Sequence, residues 1–173
     1  MMTEHFDGKE VRIDYLYLDL NTCDRCVGTD AVLEEVIEEL RPAFALAGYS
    51  ITYHKTEVVS EEVAISNRFE SSPTIRINGH DICSDIIETD CGCCGEISGT
   101  KVDCRVFEYE GKRYEVPPKA MLAENILRMA FMVPAMRDRD AYELPSNLKN
   151  FFEGKRRKGS DCCSSFCRIE GLQ

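Results

Sequence analysis

The chain has no tryptophan, three histidines, six prolines and no apolar run near the roughly 20 residues that cross a bilayer. A membrane-spanning helix is therefore not expected. Basic charge is also scarce: 21 Lys and Arg stand against 31 Asp and Glu, a net charge of -10. Such a field repels phosphate backbones, so nucleic acid is not an expected partner. The one basic run, Lys155-Arg156-Arg157-Lys158, sits in a glycine-flanked polar tail and reads as a solvated linker. His5, His54 and His80 are scattered and lack ligand spacing. Met1 to Lys9 is polar and acidic, with no apolar segment behind a basic start. The expectation is a cytoplasmic protein whose thiols stay mostly reduced.

What the chain does have is sulfur. Its ten cysteines fall into three groups. Cys23 and Cys26 form a C-x-x-C after an apolar run. Cys91, Cys93, Cys94 and Cys104 lie in a glycine-punctuated middle segment, with Cys83 just before it. Cys162, Cys163 and Cys167 crowd the C-terminus. Small secreted domains use such density as a disulfide scaffold because they cannot build a core. A chain of 173 residues that is 43% hydrophobic can build one. The sulfur is then expected to serve chemistry rather than stapling.

Hydrophobic patterning predicts a central strand over Val11 to Leu20, apolar on both faces. A helix is expected over Thr29 to Ala47, with Val32, Leu33, Val36, Ile37, Leu40 and Phe44 on one face. Thr29 or Asp30 would cap its start and Gly48 its end, and Pro42 would kink or break it. A strand over Ile51 to Val58 and a short helix from Ser60 follow. Ser71 to Ile77 reads as a strand turning through Asn78-Gly79, a hairpin signal, into another near Asp81. Cys83 to Asp103 is turn-rich and reads as an excursion. A hairpin is expected around Glu110-Gly111-Lys112. A closing helix should span Pro117 to Met132, striped by Met121, Leu122, Ile126, Leu127 and Phe131. Leu144 to Phe152 is an amphipathic piece able to dock, and the polar chain from Gly154 should be dispensable for folding.

A strand, a C-x-x-C, a helix and a later Ser-Pro-Thr opening a hairpin form the arrangement of the thioredoxin fold. Thr22-Cys23-Asp24-Arg25-Cys26, Ser72-Pro73-Thr74-Ile75, Cys91-Gly92-Cys93-Cys94 and Val102-Asp103-Cys104-Arg105 carry the likeness. Over Val11 to Met132 the chain resembles a thioredoxin-like family that bears only a domain-of-unknown-function label. The resemblance implies an α/β fold of strand-helix-strand-helix-hairpin-helix order, with a cysteine-rich insertion and a flexible C-terminal tail. The expected division is an arm over 1–10, the domain over 11–132 with its insertion at 83–104, and an extension over 133–173. It further implies that Pro73 follows a cis peptide bond and faces the dithiol, with Ser72 and Thr74 beside a substrate. The Trp-Cys-Gly-Pro-Cys signature of true thioredoxins is missing, since Asp24-Arg25 replaces Gly-Pro. The fold alone fixes no activity.

Each cysteine group admits more than one chemistry. In thiol–disulfide exchange Cys23 would attack and Cys26 resolve, Arg25 favouring the thiolate and Asp24 opposing it. The same C-x-x-C in a loop is half of a tetrahedral zinc or other soft-metal site. Cys91, Cys93, Cys94 and Cys104 suit zinc or an iron–sulfur cluster, or an auxiliary dithiol that exchanges with Cys23-Cys26. Adjacent cysteines seldom ligate one tetrahedral ion together. Cys162, Cys163 and Cys167 suit a thiophilic centre such as As(III), Cu(I) or Hg(II), and their pattern is similar to clusters in arsenic metallochaperones. Three functions remain open: thiol exchange with a partner protein, a soft-metal or metalloid carrier, and an interaction module stabilised by zinc or iron–sulfur.

Overall fold

The apolar run expected as a central strand forms β1 (Lys9–Tyr17), which starts two residues before the boundary read from the sequence. The protein is described by a computed structural model covering residues 9–132 and 141–164, with side chains placed as far as residue 159. Alternation sends Val11, Ile13 and Tyr15 into one apolar core, while Leu16 points into a second. β1 pairs in parallel with β2 (Tyr49–Glu57) and antiparallel with β3 (Thr74–Ile77). β3 turns through Asn78 and Gly79, with φ of 50° and 82°, into β4 (His80–Asp81). Left-handed backbone at both central positions is what a two-residue hairpin of this hand requires, which is why Asn-Gly occupies it. The sheet order is β2-β1-β3-β4.

The crossover from β1 to β2 is α1 (Asp24–Leu46), which begins five residues earlier than Thr29. The cause is local. The Asp19 carboxylate accepts the amide hydrogens of Asn21 and Thr22 at 2.8 and 2.6 Å and the Thr22 hydroxyl at 2.8 Å. That turn delivers Cys23 to the N-cap, where its carbonyl accepts the Val27 amide at 2.9 Å. Gly28 is therefore no helix breaker: a Cβ there would lie 2.7 Å from the Val116 side chain, so its absence lets α1 approach that segment. The helix continues through Pro42 without ending, and Phe44 is buried beyond it. Gly48 at φ 79° follows its C-cap. α2 (Glu61–Ser66) is capped by Ser60, whose hydroxyl accepts the Val63 amide at 3.4 Å.

The turn-rich middle segment is ordered: it holds β5 (Ile87–Asp90) and α3 (Gly92–Ser98), and β5 joins β6 (Asp103–Tyr109) and β7 (Lys112–Tyr114) in a second sheet, antiparallel in that order. Arg105 joins the sheets. Its amide donates to the Ser72 carbonyl at 2.7 Å, and its fully buried guanidinium meets both Asp81 carboxylate oxygens at 2.8 Å. α4 (Lys119–Ala130) buries Met121, Leu122 and Ile126 on the first core, as its stripe requires. Leu127 and Phe131 stay largely exposed, although the Phe131 ring stacks on Phe44 at 5.5 Å. Among the described residues the protein is thus an α/β structure of two sheets and five helices, and no helix is long and apolar enough to cross a membrane.

The C-terminal extension departs most from its expectation. α5 (Ser146–Ser164) carries Leu148, Phe151 and Phe152 into the second core and continues without a break past Gly154. Gly154 lies against α3, and Lys158 donates from its Nζ to the Glu96 carbonyl. The apolar triad drives docking, and the polar turns beyond it follow because a helix propagates once nucleated. Cys167 lies outside the described residues, as do the side chains of Cys162 and Cys163 and the arm residues 1–8. A Cβ at Gly154 would collide with the Ser98 carbonyl oxygen. Gly154→Val should therefore cost about 1–3 kcal/mol in urea unfolding; an unchanged midpoint would contradict the docking of α5 on α3.

Candidate thiolate centre

Two helices bring the cysteines together. Cys23 is the N-cap of α1 and Cys26 lies in its first turn; Cys91 is the N-cap of α3 and Cys94 lies in its first turn. The same C-x-x-C spacing therefore occurs twice at a helix start. The sulfurs of Cys23, Cys91 and Cys94 all lie within 4.8 Å of one another. Cys94 is 3.8 Å from Cys23 and 3.5 Å from Cys104, which joins from β6. Cys26 stands behind Cys23, its sulfur 3.3 Å from the Ser72 hydroxyl. Cys23, Cys26, Cys94 and Cys104 are fully buried and Cys91 is 4% exposed, so these thiols form a sulfur-rich part of the second core.

Not every expected ligand arrives there. Cys93 follows Gly92 on α3, about 100° around the helix from Cys94, and its thiol is directed at Asp24 Oδ2, 3.9 Å away. The middle quartet is thus a trio, Cys91, Cys94 and Cys104, completed by Cys23 from the first group. Cys83 packs against the other core, near Asp81 and Arg105, where burial lifts its thiol to about 11. Pro73 is buried after a cis Ser72–Pro73 bond, and it is Ser72 that touches the dithiol, through Cys26. The sequence joins Cys23-Cys26 to the middle cysteines only as a dithiol that exchanges with them, not as one donor set. The signal for that set is the second C-x-x-C, Cys91 to Cys94, which Cys93 makes read as a run.

Arg25, expected to favour the Cys23 thiolate, turns away from sulfur. Its Nη1 donates to the carbonyls of Thr89 and Cys104 at 3.2 and 3.1 Å. Its Nη2 donates to the Asp90 carbonyl at 2.7 Å and meets Glu115 at 2.5 Å. The side chain is buried and fastens the start of α1 to β5 and β6. The buried Tyr15 hydroxyl donates to the Cys26 carbonyl at 2.7 Å, and the Cys91 amide donates to the Val102 carbonyl at 2.8 Å. Both helix starts are therefore held through the main chain, leaving the thiols free to interact with one another.

Charge in the cluster is ordered by thiol–thiol hydrogen bonds. The Cys26 thiol is lowered to about 7, first because Cys23 donates to it, with burial opposing and Ser72 assisting. Cys91 is driven well below the usual thiol range by its sulfur neighbours, Cys104 first and then Cys23 and Cys94, with burial opposing. The neighbouring thiols move the other way: Cys23 is raised first by Cys26, Cys94 by Cys104, and Cys104 by Cys91. Within the first C-x-x-C the thiol that is lowered is thus Cys26, opposite to the order expected from a helix dipole acting on Cys23.

The class defined by these features is an α/β protein with a buried, all-sulfur donor set. Over residues 11–126 the chain matches the family described as Domain of unknown function (DUF2703), and it belongs to that family. Neither the comparison with curated proteins nor that with solved structures gave a match.

The ordering of charge gives a pH signature. Ultraviolet thiolate absorbance of the reduced, metal-free protein should show a step with its midpoint near pH 7 that Cys26→Ser abolishes. Because the folded value lies below that of a free thiol, about 8.5, the stability Cys26 contributes is complete above that pH and is lost as pH falls through about 7. A step near pH 7 that survives Cys26→Ser would overturn the assignment.

Proposed function

We propose that the protein binds a thiophilic metal ion or trivalent metalloid as cargo through Cys23, Cys91 and Cys94, with Cys104 as a fourth thiol. The observation that carries this reading is the mutual approach, within 4.8 Å, of three sulfurs from two distant parts of the chain. An ion with sulfur bonds of about 2.3 Å in tetrahedral array sets its ligands about 3.8 Å apart. The Cys94 contacts of 3.8 and 3.5 Å match that edge. A donor set of sulfur alone, without histidine or carboxylate, selects soft ions over hard ones. Sulfurs this close favour a single ion over an iron–sulfur cluster, whose inorganic sulfides need room between the thiolates. A reducing cytoplasm would keep the thiols available, and loading would release their protons, so binding weakens as pH falls.

A second reading, thiol–disulfide exchange, is favoured by the Cys26 thiol at about 7 with Cys23 as its hydrogen-bonded partner. The sheet order β2-β1-β3-β4, the parallel β1–β2 pair and the C-x-x-C heading α1 support a thioredoxin-like arrangement. In this chemistry the thiolate attacks a partner protein's disulfide, expels one partner thiolate, and forms a mixed disulfide that the second thiol then breaks. Full burial of both sulfurs weighs against it, since the partner must reach one of them.

Titration of the anaerobic, reduced protein with Zn(II), Cd(II) and As(III) separates the readings. Cys23→Ser, Cys91→Ser and Cys94→Ser should each weaken binding by on the order of tenfold to a hundredfold, and Cys93→Ser should leave it unchanged. Tight binding that ignores Cys94→Ser, or no binding beside brisk reduction of a model disulfide, would favour exchange.

A further inference from the structure

We infer that Cys93 is the port of the thiolate centre: it takes the incoming ion from a thiol carrier and hands it to the buried sulfurs. This role rests on the cargo reading above, and it concerns how the ion arrives rather than which thiols finally hold it. Cys23, Cys26, Cys94 and Cys104 are fully buried and Cys91 is 4% exposed, so an ion from solution meets none of them first. Cys93 alone among the thiols at these two helix starts is partly exposed, and it also packs against the sulfur-rich core. It therefore stands between water and the centre.

The contacts between α3 and α1 run side by side. Cys94 meets Cys23 at 3.8 Å, and Cys93 meets the next residue, Asp24, at 3.9 Å from sulfur to Oδ2. The Cys93 thiol is thus aimed at the start of α1, one residue along from a ligand. Cover over the centre is thin. Thr22 and Asp24 on either side of Cys23 are exposed, as are Asp90 and Gly92 on either side of Cys91. Gly92 leaves the approach open, since a Cβ there would meet nothing within 4 Å among the described residues. Its φ is not left-handed, so the backbone does not itself require glycine at this position.

A soft ion passes from one thiolate to another by ligand exchange, because thiolate is the form that binds it. At the port the Cys93 sulfur forms a bond to the ion, and one bond from the ion to a carrier thiolate breaks. Exchange then moves the ion inward to Cys91, Cys94 and Cys23, and the bond to Cys93 breaks in turn. Each thiol that binds gives its proton to the thiolate that departs, and no atom changes oxidation state. Cys93 ends as a free thiol outside the final shell. Its loss should therefore alter the rates of loading and release and spare the affinity.

The test follows Cd(II), supplied as its glutathione complex, onto the anaerobic, reduced full chain by native mass spectrometry sampled in time. Release is read from the loaded protein in excess glutathione. Cys93→Ser should slow loading and release by the same factor, about tenfold or more, with the equilibrium constant unchanged. Gly92→Leu narrows the approach without touching a thiol and should slow both rates as well. Cys94→Ser should instead weaken the equilibrium itself. Unchanged rates in Cys93→Ser, beside an affinity that Cys94→Ser reduces, would overturn the port and leave the cargo site standing. A loss of affinity in Cys93→Ser would overturn it too, by making Cys93 a resident ligand. No cadmium uptake by the unaltered chain would overturn the cargo reading and the port with it.

Discussion

A single guanidinium, that of Arg25, links the two halves of the structure at the point where the chemistry lies. It sits between the two cysteines of the first C-x-x-C and yet makes its hydrogen bonds to the carbonyls of Thr89, Asp90 and Cys104. Those carbonyls belong to β5 and β6, the strands that flank Cys91 and carry Cys104. Hydrogen bonds from a charged donor contribute about 1.5–3 kcal/mol each, and a buried cation cannot leave its partners without a penalty of similar size. The start of α1 is therefore fixed against the second sheet, and Cys23 has no choice but to approach Cys94. Arg105 repeats the device nearby, holding Asp81 of β4 and the Ser72 carbonyl from β6.

The second constraint is desolvation. Cys23, Cys26, Cys91, Cys94 and Cys104 share one core with Phe69, Phe151 and Phe152. With little water at hand, the thiols turn to one another and to the Ser72 hydroxyl, which lowers Cys26 and Cys91 and raises Cys23, Cys94 and Cys104. α5 is part of that enclosure, because Leu148, Phe151 and Phe152 cover the sulfur-rich core. The extension is thus joined to the centre's dielectric, and its removal would hydrate the thiols as well as loosen the fold. The soft-ion binding proposed above would profit from such a setting, where little water competes with the ion for the thiolates.

Much of the frame was legible in the sequence. The apolar run of β1, the stripe of α1, the Asn78-Gly79 turn and the Glu110-Gly111 turn all announce themselves through local rules, and each lies where those rules put it. The start of α1 did not, because Asp19 caps the approach from a distance of several residues, and Gly28 imitates a boundary while serving close packing on Val116. Of the second sheet the β6–β7 hairpin was legible, while β5 and its pairing with β6 were hidden by a short strand and by glycines that read as loop. The centre itself was half legible. Residue type and number pointed to thiolate chemistry, but the joining of Cys23 to Cys91 and Cys94 depends on Arg25 meeting carbonyls of the main chain, which leaves no side-chain signature. The docking of α5 beyond Phe152 was masked by the polarity of Lys155 to Lys158, of which Arg156 meets Glu61 and Lys158 the Glu96 carbonyl.

The central claim is that Cys23, Cys91 and Cys94 act on one ion. X-ray absorption at the arsenic or cadmium edge, on protein loaded with one equivalent, reads the ligand shell directly. The account requires a first shell of sulfur alone, with three or four scatterers, which loses a sulfur in Cys94→Ser and keeps its composition in Cys93→Ser. A shell containing nitrogen, or a sulfur shell indifferent to Cys94→Ser, would contradict it.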